Sequence, residues 1–278
     1  MIYGIVGLGL MGGSYAKRLT DQDETVIGFA RRQATVDYAV NHHMVAKGTL
    51  QADKYLKDCD IVVLALYPTQ IKPWIEEHQN ALKPGCLLMD ISGVKSNIIV
   101  PCQDVLREDC ELISTHPMCG RESQGIEYSD PTIFDGANFI VVPTEKNSQK
   151  AIDTAKALGA KLGCTYIAQL TMEQHDRMIA FLSQLTHIIA VSLMNTHETK
   201  DLVKYTGDSF RDLTRIATIN AEMWTELFLL NKDILLDETN QFIDTISHFR
   251  DALANEDADE MKRLFRQSSA RHEVFIRK

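Results

Sequence analysis

The chain has 278 residues, 45% of them hydrophobic, and a formal net charge of −9. This length accommodates two ordinary domains with a hydrophobic core. The negative charge argues against nucleic acid or an anionic membrane as a partner, so any positive charge that binds an anionic substrate must be local.

The first element is an apolar strand that leads through a glycine-rich turn into a helix. Residues 2 to 14 read IYGIVGLGLMGGS, which contains the pattern G-x-G-x-x-G. The first glycine permits the turn, the second lets the backbone approach a pyrophosphate, and the third lets the helix pack on the strand. The first free N–H groups of the helix then face the anion. The stretch predicts a dinucleotide site formed by Gly7, Gly9, Leu10, Met11 and Gly12.

The second strand, Thr25 to Ala30, indicates which dinucleotide is bound. NAD-binding units usually carry an acidic residue after this strand, which accepts a hydrogen bond from the ribose 2′-OH. Here Arg31 and Arg32 follow, with no acid. Because arginine binds a phosphate through charge-assisted hydrogen bonds, the sequence predicts NADP in preference to NAD. The alternative is that both arginines only solvate the start of the next helix, Gln33 to Asn41.

Further apolar runs alternate with helical stretches. The predicted strands are Asp60 to Leu66, Gly85 to Ile91, Glu111 to Thr115, Phe139 to Val142 and Thr165 to Ala168. The predicted helices between them are Thr69 to Ala81, Asn97 to Arg107 and Ser148 to Leu162. This alternation predicts an α/β fold with an N-terminal Rossmann-like doubly wound domain, whose ligands bind outside the carboxyl ends of the strands.

No strand pattern follows Ala168, and an all-α dimerisation domain is predicted from there on. Thr171 and Gln174 form a capping box, which predicts a helix to about Thr196. Its centre is apolar on nearly every face, so we expect a partner subunit to cover it in a homodimer. The polar residues within Met178 to His197 argue against a membrane span.

The remaining helices complete the domain assignment. They are predicted at Ala221 to Asp233, Leu235 to Ala254 and Asp257 to Ile276. We therefore predict a dinucleotide-binding domain at 1–168 and a helical substrate and dimerisation domain at 169–278. The six cysteines show no C-x-x-C pair and no signal peptide precedes them. This pattern predicts reduced thiols in a cytoplasmic protein, with neither disulfides nor a metal site.

Three polar segments carry residues suited to chemistry: DISGVK at 90–95, HPMCGRE at 116–122 and DLTRIA at 212–217. His116 comes directly after a predicted strand, near the expected position of the nicotinamide. A neutral histidine there can take a proton from a hydroxyl group. The alternative is a loop histidine with only structural hydrogen bonds.

These segments, together with GLGLMGGS, the pair His175–Asp176, and SFRDLTRIA followed by MW and NK, resemble the prephenate/arogenate dehydrogenase family of tyrosine biosynthesis. The resemblance spans nearly the whole chain. It implies an NAD(P)-dependent oxidative decarboxylation of a cyclohexadienol, in which a hydride and CO₂ leave and the ring becomes aromatic. It also implies that His116 is the base at the ring hydroxyl and that Arg215 binds a substrate carboxylate.

The chain departs from the family pattern near the expected site. The family commonly carries a catalytic serine at the position of Gly93, and the resemblance leaves Ser92 to take over that role or to cap a helix. Arg121 stands where relatives often have a small hydroxyl residue and could supply charge for the substrate. Glu122 could orient or gate the site by pairing with Arg121, or form a surface pair worth ~0–1 kcal/mol.

Three further residues receive assignments, Asp90 and Lys95 from their position and His187 from the same resemblance. Asp90 and Lys95 are expected to shape the turn after their strand. His187 is the second histidine of a family S-H-L-P-H pattern and is expected to contact a carboxylate of prephenate, or else to be a hydrogen-bonded histidine of the helix bundle.

Two other functions fit parts of the sequence. A β-hydroxyacid dehydrogenase shares the glycine-rich opening, but its lysine on the long helix is absent between Thr171 and Thr199. A non-catalytic NADP-binding sensor would need the glycines but neither His116 nor Arg215. Because the last predicted helix ends near the C-terminus, we expect no separate regulatory domain, and any inhibition by tyrosine would act at the active site.

Overall fold

The structure is a computed structural model that describes residues 1–198 and 201–276. It contains one eight-stranded sheet, and the strands are β1 Ile2–Val6, β2 Thr25–Phe29, β3 Lys47–Thr49, β4 Ile61–Leu64, β5 Leu87–Asp90, β6 Glu111–Pro117, β7 Asn138–Val142 and β8 Tyr166–Gln169. Their order is β3-β2-β1-β4-β5-β6-β7-β8. The predicted Rossmann-like doubly wound sheet is confirmed.

The helices follow the strands along the first part of the chain and then continue without strands. They are α1 Leu10–Thr20, α2 Gln33–Asn41, α3 Pro68–His78, α4 Ile99–Val105, α5 Gln149–Leu162, α6 Met172–Ile179, α7 Leu185–Asn195, α8 Asp208–Thr214, α9 Ala221–Leu230, α10 Lys232–Ala254 and α11 Ala258–Ile276.

The central strands β4 and β5 are buried on both faces, and apart from Asp90 their residues are apolar without alternation. One apolar cluster packs on one face of the sheet and a second packs on the other. The chain order reverses between β1 and β4, which pair in parallel with each other. The loops after these two strands therefore diverge and leave a crevice at their carboxyl ends, where ligands of such sheets bind.

Some elements differ from the prediction. β3 has only three residues and no apolar run, so no pattern indicated it. β7 runs antiparallel to β6, while β8 is parallel to β7. The predicted helix from Ala221 ends at Leu230, where Asn231 turns the chain, and the next helix begins at Lys232.

The predicted helix after the sheet is confirmed, with an interruption. The Thr171 hydroxyl accepts a hydrogen bond from the Gln174 N–H, and the Gln174 side chain accepts one from the Thr171 N–H, so the capping box forms. A π-helical stretch, Ala180–Gln184, lies between α6 and α7. The span Met172–Asn195 is long and apolar enough to pass for a membrane span, a test that the core helix of a soluble protein also passes.

The chain divides into two compact units, Met1–Asn231 and Lys232–Lys278. The first holds the sheet and helices α1 to α9. The second consists of α10 and α11, where the rings of Phe249 and Phe265 lie 5.7 Å apart. This division follows compactness, and the functional boundary near Ala168 stays a prediction.

Candidate active site

The glycine-rich turn leaves room for an anion at the start of α1. Gly7 has a φ of +89°, which favours glycine. A Cβ on Gly12 would overlap the Gly7 carbonyl oxygen, so this glycine is needed for α1 to pack on β1. A Cβ on Gly9 would meet nothing within 4 Å. The first N–H groups of α1, at Leu10 and Met11, have no helical acceptor and no side-chain cap, and this open cradle fits a dinucleotide pyrophosphate.

Arg31 and Arg32 lie just past the carboxyl end of β2, and both are exposed. Their side chains have no hydrogen-bond or ion-pair partner in the described part of the chain. Arg32 precedes the first residue of α2 without capping it. Both guanidinium groups are therefore free to meet a ligand at this edge of the sheet.

A buried lysine fixes the end of β5 against β6. Lys95 is fully buried, and its Nζ donates to Asp90 Oδ2 at 2.9 Å, to the Ser92 carbonyl at 2.7 Å and to the Thr115 carbonyl at 2.9 Å. Thr115 in turn donates its hydroxyl to the Asp90 carbonyl. Burial lowers the pKa of Lys95, and the Asp90 carboxylate opposes this shift. These contacts fix the backbone at Thr115, the residue before His116.

His116 is hydrogen-bonded to a second histidine. Its Nδ1 lies 2.9 Å from Nε2 of His175, and His175 Nδ1 lies 2.7 Å from Asp176 Oδ1. Because a carboxylate only accepts, His175 donates from Nδ1, and its Nε2 accepts from His116 Nδ1. The remaining nitrogen of His116, Nε2, is then free of a proton. The relay makes His116 a base with a defined tautomer.

The environment keeps both histidines neutral. Desolvation lowers the pKa of His116 well below its ordinary value of 6.5, and the nearby His175 and Lys95 lower it further. Burial also lowers the pKa of His175, against the opposing effect of Asp176. Burial acts to raise the pKa of Asp176, but hydrogen bonds from His175 and Ser96 outweigh it and keep that pKa below its ordinary value.

A second polar group forms where Glu122, on the loop after His116, meets Arg215, on the turn after α8. The Arg215 guanidinium donates to the Glu122 carboxylate. Desolvation lowers the pKa of His187. The nearby Glu122 acts to raise this pKa, and Arg215 acts to lower it. The His187 ring lies 3.7 Å from the Trp224 ring, and its Nδ1 is bonded to the Ser183 carbonyl. Because α7 also packs against the turn Arg215–Ala217, the structure brings Arg215, Glu122 and His187 into one region.

Two predicted contacts are not found. Arg121 bonds to Asp130 at 2.6 Å, not to Glu122, because Glu122 reaches across to Arg215. The predicted Arg121–Glu122 ion pair is therefore wrong. The Ser92 hydroxyl donates to the Val94 carbonyl at 2.9 Å and contacts neither His116 nor a helix start.

Sequence reasoning assigned no role to His175 and Asp176, and it treated Lys95 only as a turn residue. The adjacent pair His–Asp, which precedes the apolar part of this long helix, was an available signal. Buried polar residues of this kind need partners, and here the partners belong to the ends of β5 and β6. The Lys95 and Ser96 backbone N–H groups both donate to the Asp176 carboxylate, at 2.9 and 2.8 Å. The described residues contain no group of three His, Cys, Asp or Glu able to hold a metal ion.

Two family models match this chain. The model described as prephenate dehydrogenase, nucleotide-binding domain, matches residues 15–168. The model described as prephenate dehydrogenase, dimerization domain, matches residues 171–267.

Individual proteins are similar over most of the chain. Prephenate dehydrogenase of Bacillus subtilis is 27% identical over 273 residues, covering 94% of this chain and 72% of that protein. Cyclohexadienyl dehydrogenase of Zymomonas mobilis is 26% identical over 276 residues, covering 95% and 92%. The crystal structure of prephenate dehydrogenase from A. aeolicus, in complex with hydroxyphenyl propionate and NAD+, gives a TM-score of 0.89 at 25% identity and covers 99% of this chain and 98% of that one.

Proposed function

The chain belongs to the prephenate dehydrogenase family, and from this premise we propose that it catalyses the NAD(P)-dependent oxidative decarboxylation of prephenate to 4-hydroxyphenylpyruvate in tyrosine biosynthesis. Arogenate, which would give tyrosine, is the alternative substrate. The observation that carries the proposal is the relay of His116, His175 and Asp176 beside the carboxyl ends of the parallel strands.

His116 acts as the general base. Its Nε2 takes the proton of the ring hydroxyl. A nicotinamide cofactor held by the glycine-rich turn would accept the hydride from the carbon that bears this hydroxyl, and CO₂ would leave the opposite ring position as the ring becomes aromatic. The positive charge that forms on the imidazole is stabilised through His175 by the Asp176 carboxylate. A positioned base of this kind contributes about 10²- to 10⁴-fold in rate. The low pKa of His116 keeps it ready to accept a proton at neutral pH.

Arg215 binds a carboxylate of the substrate, and His187 contacts it from the neighbouring helix. In the structure Arg215 is paired with Glu122, so the carboxylate of the substrate takes the place of an existing anionic partner. Arg121, which is paired with Asp130, adds positive charge on the same loop. We assign no catalytic step to Ser92, because its hydroxyl is used by the Val94 carbonyl. The presence of His187 favours prephenate over arogenate.

The cofactor binds over Gly7, Gly9, Leu10, Met11 and Gly12, and we propose that it is NADP rather than NAD. The unpaired, exposed Arg31 and Arg32 are suited to a 2′-phosphate. In the test, kcat/KM with NADP is higher than with NAD, and Arg31→Ala reduces this ratio. Equal or better kcat/KM with NAD, with a ratio that Arg31→Ala leaves unchanged, would contradict NADP.

We further propose a cytoplasmic homodimer that assembles through residues 169–278, with the dinucleotide-binding domain at 1–168. The match to a dimerization domain supports this assembly. So do the large apolar side chains left exposed on and beside α6 and α7, namely Met178, Phe181, Leu182, Leu193 and Met194. Sedimentation equilibrium measures the mass, and a monomer at assay concentrations would contradict the proposal.

The test of the function is a substrate comparison. Purified protein is supplied with prephenate, arogenate or a β-hydroxyacid, and the reduced cofactor is followed by absorbance. We expect turnover with prephenate that exceeds turnover with arogenate and no turnover with the β-hydroxyacid. Failure with both cyclohexadienyl substrates would refute the function.

A further inference from the structure

The helix that supplies His175 and His187 changes its winding between them. In the π-helical stretch Ala180–Gln184, the N–H of Leu185 donates to the carbonyl of Ala180, five residues back. Such a turn takes up one residue more than an α-helical turn. The extra residue rotates the side chains of α7 about the helix axis relative to those of α6.

The rotation has a definite size. Each α-helical residue turns the chain by about 100°, so His187, twelve positions after His175, would lie about 120° away from it on a uniform α-helix. With one residue absorbed by the π-helical turn, the offset falls to about 20°. The two histidines therefore lie on nearly the same face of the helix.

The contacts of the two histidines agree with this estimate. His175 is hydrogen-bonded to His116. Helix α7, which carries His187, packs against the turn Arg215–Ala217, and the charges of Glu122 and Arg215 both affect the pKa of His187. His116 and Glu122 belong to one short segment, the end of β6 and the loop that follows. One face of the helix 172–195 thus lies along the segment 116–122, from His116 at one end to Glu122 and its partner Arg215 at the other.

Two buried amides hold the π-helical turn in place. Gln184, the last residue of the turn, donates to the Leu227 carbonyl at 3.1 Å and accepts from Asn231 Nδ2 at 2.7 Å. Asn231 Nδ2 also donates to the Asp176 carbonyl at 3.0 Å. Both side chains are almost fully buried. Because buried polar groups are costly when unpaired, these three bonds favour one winding of the helix against α9.

We propose that the π-helical turn sets the register of His187 relative to His175, and that Gln184 and Asn231 are the positioning residues that maintain it. One helix can then serve both ends of an anionic ring substrate. Neither amide contacts the reacting atoms. Gln184 acts through His187, and Asn231 joins Gln184 to the Asp176 carbonyl on the preceding part of the helix. The naming of the substrate rests on the proposed function, whereas the register is a property of the free chain.

The kinetic test is a double-mutant cycle. We expect Gln184→Leu to raise the KM for prephenate about tenfold, while kcat and the KM of the cofactor change less than about threefold, because only the placement of His187 is lost. In the His187→Ala background the same substitution should add no further increase. Asn231→Ala, which removes the other amide, should give the same increase in the KM for prephenate and serves if Gln184→Leu does not fold.

A second readout needs no substrate. The His187 ring lies against Trp224, so ring-current effects should move the signals of its ring protons upfield in the NMR spectrum of the free protein. The signals are assigned by their absence in His187→Ala, and they should move back in Gln184→Leu. Gln103→Leu is the matched control, since Gln103 is a buried glutamine that donates to the Leu112 carbonyl away from this helix.

The outcomes separate the two proposals. Equal increases in KM in both backgrounds, or His187 signals that stay in place in Gln184→Leu, would overturn the positioning role. Changes of the same size in Gln103→Leu would also overturn it, since they would reflect general loss of a buried amide. If the wild-type protein turns over neither prephenate nor arogenate, the proposed function fails, and the NMR comparison still decides the register.

Discussion

Replacement of Asp176 by asparagine should disable His116 without touching it. The Asp176 carboxylate accepts three hydrogen bonds: Oδ1 from His175 Nδ1 and the Lys95 N–H, and Oδ2 from the Ser96 N–H. An asparagine amide has one oxygen and one NH₂ group, so it cannot accept all three. Whichever way the amide turns, one backbone N–H faces another donor.

The two orientations have different effects. With its NH₂ group toward Ser96, the variant keeps the histidine tautomers but leaves a buried donor unpaired, which costs about 1–3 kcal/mol. With its NH₂ group toward His175, the proton of His175 moves to Nε2. His116 must then accept at Nδ1 and carry its own proton on Nε2, where it can no longer act as a base. In both orientations the neutral amide no longer stabilises the positive charge that forms on His116, so we expect kcat to fall by about 10²- to 10⁴-fold, as when a carboxylate that orients a catalytic histidine is neutralised.

The assay compares kcat, the KM of both substrates and the Tm for the wild type and Asp176→Asn. The KM of the cofactor should change little, since the glycine-rich turn lies elsewhere in the chain. Asp60→Asn is a suitable control, because Asp60 accepts from the Ile2 N–H and pairs with Lys83. A kcat of Asp176→Asn within about threefold of the wild type would refute the relay.

Three further predictions follow from the geometry. Glu122→Gln should lower the KM for prephenate by up to about fivefold, because an exposed pair with Arg215 is worth ~0.2–1 kcal/mol; a raised KM would contradict the competition between Glu122 and substrate. Gly9→Ala should weaken cofactor binding with an unchanged Tm, whereas Gly12→Ala, whose Cβ overlaps backbone, should lower the Tm; the reverse pattern would contradict the assigned roles. His116 and His175 have lowered pKa values in the folded protein, so below pH 6.5 the unfolded chain binds protons that the folded chain does not. The Tm should therefore fall as the pH falls, and it should fall less in His116→Asn; a Tm independent of pH would contradict the low pKa values.

The sheet could be predicted because its signals are local. Continuous apolar runs such as that of β4 and the glycines before α1 indicate buried strands and a tight turn without knowledge of the rest of the chain. β3 escaped prediction because it is short and not apolar. The direction of β7 also escaped, since the periodicity of a strand is the same in both directions.

The site was less predictable because its contacts join distant segments. His116 could be chosen from its place after a strand, but its partner His175 lies on a helix that follows the whole sheet. The pairing of Glu122 with Arg215 rather than with its neighbour Arg121 depends on how α8 and the turn after it lie against the loop, which no local pattern encodes. Propensity and periodicity therefore find the elements, and buried polar residues mark where the elements meet.

The cofactor site and the base differ in how much of the fold each requires. The cradle for the pyrophosphate lies within β1, the turn and α1. The base needs three segments at once: β6 for His116, α6 for His175 and Asp176, and the turn after β5, whose Lys95 and Ser96 N–H groups bind the carboxylate. Lys95 takes part in both contacts: its side chain bonds to the Thr115 carbonyl at the end of β6, and its backbone N–H bonds to Asp176 of the relay. A perturbation of how α6 docks should therefore change the protonation of His116 while the cofactor still binds.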